Sequence, residues 1–275
     1  MITLHPQVKQ TLDAVMADQP HAVLLAGKVG VGLKTIADYY LAQTSAQPVL
    51  VLPEKKGVVD LDGGTISVES VRKLYDVVRV AEPQGRIVII DQAEKMLHVS
   101  QNAFLKLLEE PNDSTRFILL SHAPELLLPT ILSRVQRVDV RPVTHEQSEA
   151  LLDAHKVYDA TKRAQLLFMA DGLPAELTRL VTDDDMFAAR VAVVKDARTF
   201  ASGTAYDRLL LAKAYKDSRE KALLLLDDAL KQLQLTLAKT GDEATFKLMK
   251  RLEVLHKRLT EQGNVRLQLS AAAVV

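Results

Sequence analysis

Three glycines, a lysine and a threonine fall close together in LLAGKVGVGLKTIADYY, residues 24–40. Gly27, Gly30 and Gly32 follow an apolar run and precede a segment of helical spacing, with Lys34 and Thr35 directly behind. A glycine-rich turn at a helix N-terminus presents backbone N–H groups to an anion such as phosphate. A complete phosphate loop, G-x-x-x-x-G-K-[ST], also needs a lysine immediately after its last glycine to grip the β- and γ-phosphates, then a hydroxyl for Mg²⁺. Here Leu33 follows Gly32, and Lys34 comes one place late. Reading back from Lys34 and Thr35 puts Lys28 and Leu33 where glycines belong. Reading forward from the three glycines puts Leu33 at the lysine position and Lys34 at the hydroxyl position, and this register keeps more of the pattern. Three readings stay open: a structural strand–turn–helix corner, a loop that binds nucleotide weakly or not at all, and a working ATP site.

A second group of residues bears on the same chemistry. Asp91 closes the apolar run RIVII, which is where a Mg²⁺-holding carboxylate sits in nucleotide hydrolases; alone, it reads equally as a strand-end cap. A glutamate beside it would align the attacking water, but the neighbour is Gln92, which cannot accept a proton, and Glu94 lies two places further on. Phosphoryl transfer rests on positioning and charge stabilisation, so this chain is expected to lack a gripping cation, a metal hydroxyl and a water-aligning acid. In TILSRVQRVDV, Arg134 falls between a helix and a strand. It reads either as a solvated surface charge or, in a ring-forming ATPase, as a guanidinium reaching a neighbour's γ-phosphate.

Alternating elements must position these residues. HAVLLAG (21–27), PVLVLP (48–53) and RFILLSH (116–122) read as apolar strands, the second of buried type; RIVIIDQ (86–92) is a continuous apolar run of the kind that marks a central parallel strand, and 133–143 holds a final short strand. Helices are expected over 1–20, from Lys34 to Thr44, from Ser67 to Val80 and over 100–111, the last stopped by Pro111. Residues 54–65 read as a loop. Strands alternating with helices imply a right-handed, mostly parallel α/β sheet. From 144 onward the texture is helical, broken at ADGLPAEL, with long amphipathic segments at 205–215, 217–239, 242–262 and 264–272. The expected organisation is an α/β domain over 1–143, a small helical domain over 144–203 and a C-terminal all-helical domain over 204–275.

Composition narrows the classes. The 275 residues carry 35 Lys and Arg against 35 Asp and Glu, so no global basic field draws nucleic acid and any such contact is local. Cysteine is absent, which removes disulfides, thiol catalysis and cysteine-based zinc sites; a cytoplasmic protein is expected. MITLHPQVKQ lacks the layout of a signal peptide, and no apolar run nears the ~18 residues of a membrane span, so no membrane partner is expected.

The order and spacing of HAVLLAGKVGVGLKT, RIVIIDQAEKM, QNAFLKLLEEP and TILSRVQ resemble the clamp-loader subunits of bacterial DNA polymerase III. These are AAA+ proteins related to replication factor C. The resemblance is strong over 20–140, fair over 141–190 and weaker beyond, where EQGNVRLQL is similar to the end of the family's collar domain. It implies an AAA+ α/β domain, a helical lid and a helical collar. It maps the phosphate loop to Gly27–Thr35, the metal-binding aspartate to Asp91, the first sensor to the vicinity of Ser121, and the Ser-Arg-Cys trio to Ser133, Arg134 and Val135. The second-sensor arginine position falls on Ala175, and the four-cysteine zinc module is missing. Members that have lost nucleotide handling keep the trans-acting arginine. The resemblance therefore implies a subunit that requires no cofactor, for which ATP binding is doubtful and zinc is absent, with Arg134 serving a neighbour's site. The implied partners are gamma/tau-type and delta-type subunits, the sliding clamp and primer-template DNA, with Lys106 a candidate DNA contact against a bland reading as a solvated helix charge. Two alternatives remain: an autonomous AAA+ ATPase using Lys34 and Thr35 after rearrangement, and a small P-loop kinase, against which the helical last third argues.

Overall fold

The computed structural model describes residues 2–80, 82–110, 113–261 and 263–272. It divides into two compact units, 1–178 and 179–275.

The first unit is built on five strands. In chain order it contains α1 (Pro6–Asp18), β1 (Ala22–Gly27), α2 (Leu33–Leu41), β2 (Gln47–Val51), β3 (Glu54–Lys55), β4 (Val58–Val59) and α3 (Val68–Arg79). There follow β5 (Arg86–Ile90), α4 (His98–Glu109), β6 (Thr115–Ser121), α5 (Pro129–Leu132), β7 (Gln136–Val140), α6 (His145–Ala154), α7 (Ala160–Ala170) and the start of α8 (Pro174–Thr182). The sheet order is β2-β5-β6-β1-β7 and every pairing in it is parallel. β5 is buried along its whole length, as the unbroken apolar run required. Alternate residues serve opposite faces. Leu24, Val88, Ile90, Phe117 and Leu119 pack with α3, α4 and α5, whereas Val23, Leu25, Ile87, Ile118 and Leu120 pack with α1 and α2. The result is a helix–sheet–helix sandwich whose strand C-termini share one edge.

Two local readings change. Residues 54–65, expected as a loop, contain the antiparallel pair β3 and β4, too short to carry a legible alternation. The helix after the glycines starts at Leu33, one residue before the expected Lys34, because Gly32 is its N-cap. α4 ends at Glu109; Pro111, the residue given as its stop, lies outside the described residues.

The second unit is helical: α9 (Asp184–Ser202), α10 (Ala205–Ala214), α11 (Arg219–Thr240), α12 (Glu243–Thr260) and α13 (Val265–Ala271). Each begins at a side chain that can accept from a free backbone N–H: Asp183, Thr204, Ser218, Asp242 and Asn264. α11 buries Ala222, Leu225, Leu226, Ala229 and Leu233, the 3–4 spacing of an amphipathic helix, against a core that includes Phe200, Leu252, Leu255 and Leu259.

Candidate functional site

The singled-out residues of the sheet converge beyond the C-terminal ends of its strands, where open parallel sheets bind ligands. Gly27 ends β1, Asp91 follows β5 and Ser121 ends β6. The loop between β1 and α2 closes on itself through Val31 N–H donating to the Lys28 carbonyl at 3.1 Å.

Two of the three glycines have packing reasons to be there. A Cβ on Gly27 would stand 2.7 Å from the Val140 carbonyl oxygen of neighbouring β7. Gly30 has φ +87°, and a Cβ there would meet Glu176 Cβ at 3.0 Å. The first turn of α8 is seated on this glycine: the Gly30 carbonyl accepts from Ala175 N–H at 3.0 Å and from Glu176 N–H at 3.1 Å. The N-terminus of α8 therefore spends donors on the loop itself. Gly32 caps α2.

Leu33, in the register of the phosphate-gripping lysine, is 3% exposed and belongs to the core with Val31, Ile36 and Val138. Lys34 is ion-paired with Asp38 one turn along α2. A cavity of about 240 Å³ beside the loop is walled by Ile2, Leu4, Val31, Leu151 and Pro174, with Thr35 among its few polar groups. No Lys or Arg lines it among the described residues.

Asp91 donates its backbone N–H to the Val51 carbonyl at 3.0 Å, which ties the end of β5 to β2. Burial pushes its carboxyl above the usual range; the Gln92 N–H and the charges of His122 and Lys34 act in the opposite direction. Lys34 thus shares an electrostatic neighbourhood with Asp91. Glu94 lies in a short 3₁₀ turn, and its Oε1 accepts from the His122 N–H at 3.2 Å. Ser121 is fully buried, and its hydroxyl accepts from Ala123 N–H at 3.3 Å, closing the turn after β6.

His122 escaped the sequence reading. Its Nδ1 lies 2.8 Å from the Gly27 carbonyl, which can only accept, so Nδ1 carries the proton. It ties the end of β6 to the start of the glycine loop. A signal existed, since His122 is the polar residue that closes the RFILLS strand.

Arg134 stands apart from this crevice. α5 opens with Pro129 and lasts four residues; Ile131 is fully buried, and Arg134 N–H donates to its carbonyl at 2.9 Å. The guanidinium, 37% exposed, pairs through Nη2 with Glu109 Oε1 at 2.9 Å and donates from Nη1 to the Thr130 carbonyl at 3.0 Å. Lys106 is exposed on the last turn of α4, and Ala175 lies at the start of α8 with no charge to offer.

The family model described as DNA polymerase III, delta subunit, matches residues 5–144. The DNA polymerase III subunit delta' of Pseudomonas aeruginosa is 35% identical over 185 residues, covering 60% of this chain and 56% of that protein. The subunit delta' of Bacillus subtilis is 28% identical over 215 residues, covering 71% of this chain and 64% of its own length. The chain thus spans somewhat over half the length of these relatives. The tau subunit of Escherichia coli is 28% identical over 263 residues, 86% of this chain and 39% of that protein. Among solved structures, a gamma subunit-related protein of DNA polymerase III from Thermotoga maritima aligns over 96% of both chains with a TM-score of 0.53 and 19% identity, a likeness of fold.

Proposed function

Because the chain belongs to the DNA polymerase III delta-subunit family, with relatives named delta', we propose that it is a delta-prime-type clamp-loader subunit that leaves ATP chemistry to others and lends Arg134 to a neighbour. In this reading it sits beside gamma/tau-type ATPase subunits in an assembly that acts on a sliding clamp and primer-template DNA. Arg134 meets the γ-phosphate of the adjacent site as water attacks it and ADP leaves. A guanidinium so placed contributes on the order of 10³–10⁵ in rate in well-studied nucleotide hydrolases. DNA contact, through Lys106 among others, would track the phosphate backbone and weaken with salt.

The observation that carries this reading is the burial of Leu33 in the core at the position where a phosphate-gripping lysine belongs. The pairing of Lys34 with Asp38, the cavity without a cation and the partly exposed guanidinium of Arg134 support it. Equilibrium dialysis of the purified chain against Mg-ATP tests the silent half. Negligible binding at millimolar nucleotide is expected, and submicromolar affinity with turnover by the isolated chain overturns it.

One feature favours a second reading, an autonomous AAA+ ATPase: the charge of Lys34 acts on Asp91, lowering its pKa against the larger effect of burial. Under that reading, Lys34→Ala abolishes ATP turnover by the isolated chain; under the first there is no turnover to lose.

A further inference from the structure

We infer that Glu109 is the positioning residue for Arg134, holding the guanidinium ready for a neighbour's phosphate. The inference rests on the reading of Arg134 as a trans-acting arginine and goes beyond it by naming what aims the side chain. The two residues are 25 positions apart and come from different elements, yet Nη2 and Oε1 stand 2.9 Å apart. Both elements are anchored. α4 buries Phe104, Leu107 and Leu108 in the same core that holds Ile131 of α5. The carboxylate and the root of the arginine are therefore fixed relative to each other by packing.

The placement of the acid is unusual on local grounds. Glu109 is the last residue of α4, where the helix dipole disfavours negative charge. A cation at that terminus offsets the penalty; Lys106 lies in the same turn, and Arg134 is the cation paired with the Glu109 carboxylate itself. The Thr130 carbonyl, 3.0 Å from Nη1, and the Ser133 hydroxyl, 3.4 Å from the same atom, add a second restraint. Five guanidinium N–H donors exceed these contacts, so donors remain for an incoming phosphate.

The clasp is weak by construction. Arg134 and Glu109 are 37% and 49% exposed, and a pair this open contributes little net stability. It orders a side chain that otherwise samples many rotamers, without withholding it from a stronger anion. An arginine ordered beforehand loses less freedom on meeting the transition state, and that appears in turnover rather than in ATP affinity.

The test uses the reconstituted loader, with steady-state ATP hydrolysis measured for assemblies carrying Glu109→Ala, Glu109→Gln, Arg134→Ala and the double variant. Gel filtration of each assembly and thermal melts of each subunit confirm folding and incorporation. Glu109→Ala is expected to lower kcat roughly three- to fivefold with KM for ATP unchanged. Glu109→Gln, which keeps an acceptor oxygen, recovers most of it. The double variant is expected to be no slower than Arg134→Ala alone, because Glu109 acts only through the arginine. Unchanged kcat in Glu109→Ala beside an impaired Arg134→Ala overturns the positioning role and leaves the trans-arginine reading standing. Unchanged kcat in Arg134→Ala overturns both.

Discussion

At the scale of single residues, Asp91 is the group whose environment says most. Burial raises its carboxyl despite the nearby charges of His122 and Lys34. Between the ordinary carboxylate range and that raised value, the folded chain binds more protons than the unfolded one, so stability falls as pH rises through the window. The cost of keeping Asp91 ionised is fully present above it and absent below it. Asp91→Asn is therefore expected to raise Tm at neutral pH, with the two melting curves converging under acid conditions. Melts of both proteins across pH check this, and a Tm lowered at neutral pH would mean that the aspartate is held by partners strong enough to outweigh burial. The identities of Gly27, Gly30, Gly32, Lys34, Thr35, Asp91 and Arg134 were legible as candidates from spacing alone. Their neighbours were not. Gly30 turns out to carry the start of α8, whose Ala175 lies 145 positions along the chain, and Lys34 turns out to face Asp38 on its own helix. Spacing marks which residue types are present, whereas the partner of a carbonyl or an ammonium is decided by tertiary approach.

At the scale of elements, unbroken apolar runs announced β1, β5 and β6 because both faces of a central parallel strand are covered. The edge strands were weaker signals: β7 alternates buried and exposed positions, and β2, an apolar run expected to be buried, is mostly exposed at the other edge, while the separate pair β3 and β4 has two residues per strand. The second unit is tied by a contact that helical periodicity does not reveal. Arg190 of α9 forms a two-pronged ion pair with Asp228 of α11, whose side chain is almost wholly buried; Nη2 and Oδ1 are 2.8 Å apart. Removing one member leaves the other charge in a poorly solvated place, which costs about 3–5 kcal/mol. Asp228→Ala is expected to lose that much in urea unfolding of the second unit, with the far-ultraviolet spectrum of the folded state retained. A loss below about 0.5 kcal/mol would mean that the pair is solvated as surface pairs are. Close by, Tyr215 donates its hydroxyl to Asp196 at 2.8 Å, and burial together with that bond pushes the phenol well above its usual range. Tyr215→Phe is expected to cost about 1 kcal/mol in the same measurement.

At the scale of the whole molecule, membership of the DNA polymerase III delta-subunit family frames the account. The parallel sheet, its flanking helices and the helical C-terminal part agree with the architecture expected from the sequence. Among the described residues no helix is long and apolar enough to cross a membrane, and no group of three or more His, Asp or Glu is placed to hold a metal ion. The proposed division of labour follows from charge. In the proposed reading, a chain that buries leucine where a phosphate is usually gripped and keeps a partly exposed arginine just past a short helix completes another subunit's site. The most direct test is ATP turnover by the loader assembled with Arg134→Ala in place of the wild-type subunit. The account predicts a fall in kcat of at least about tenfold in assemblies that form with unaltered stoichiometry; turnover equal to that of the wild-type assembly would contradict it.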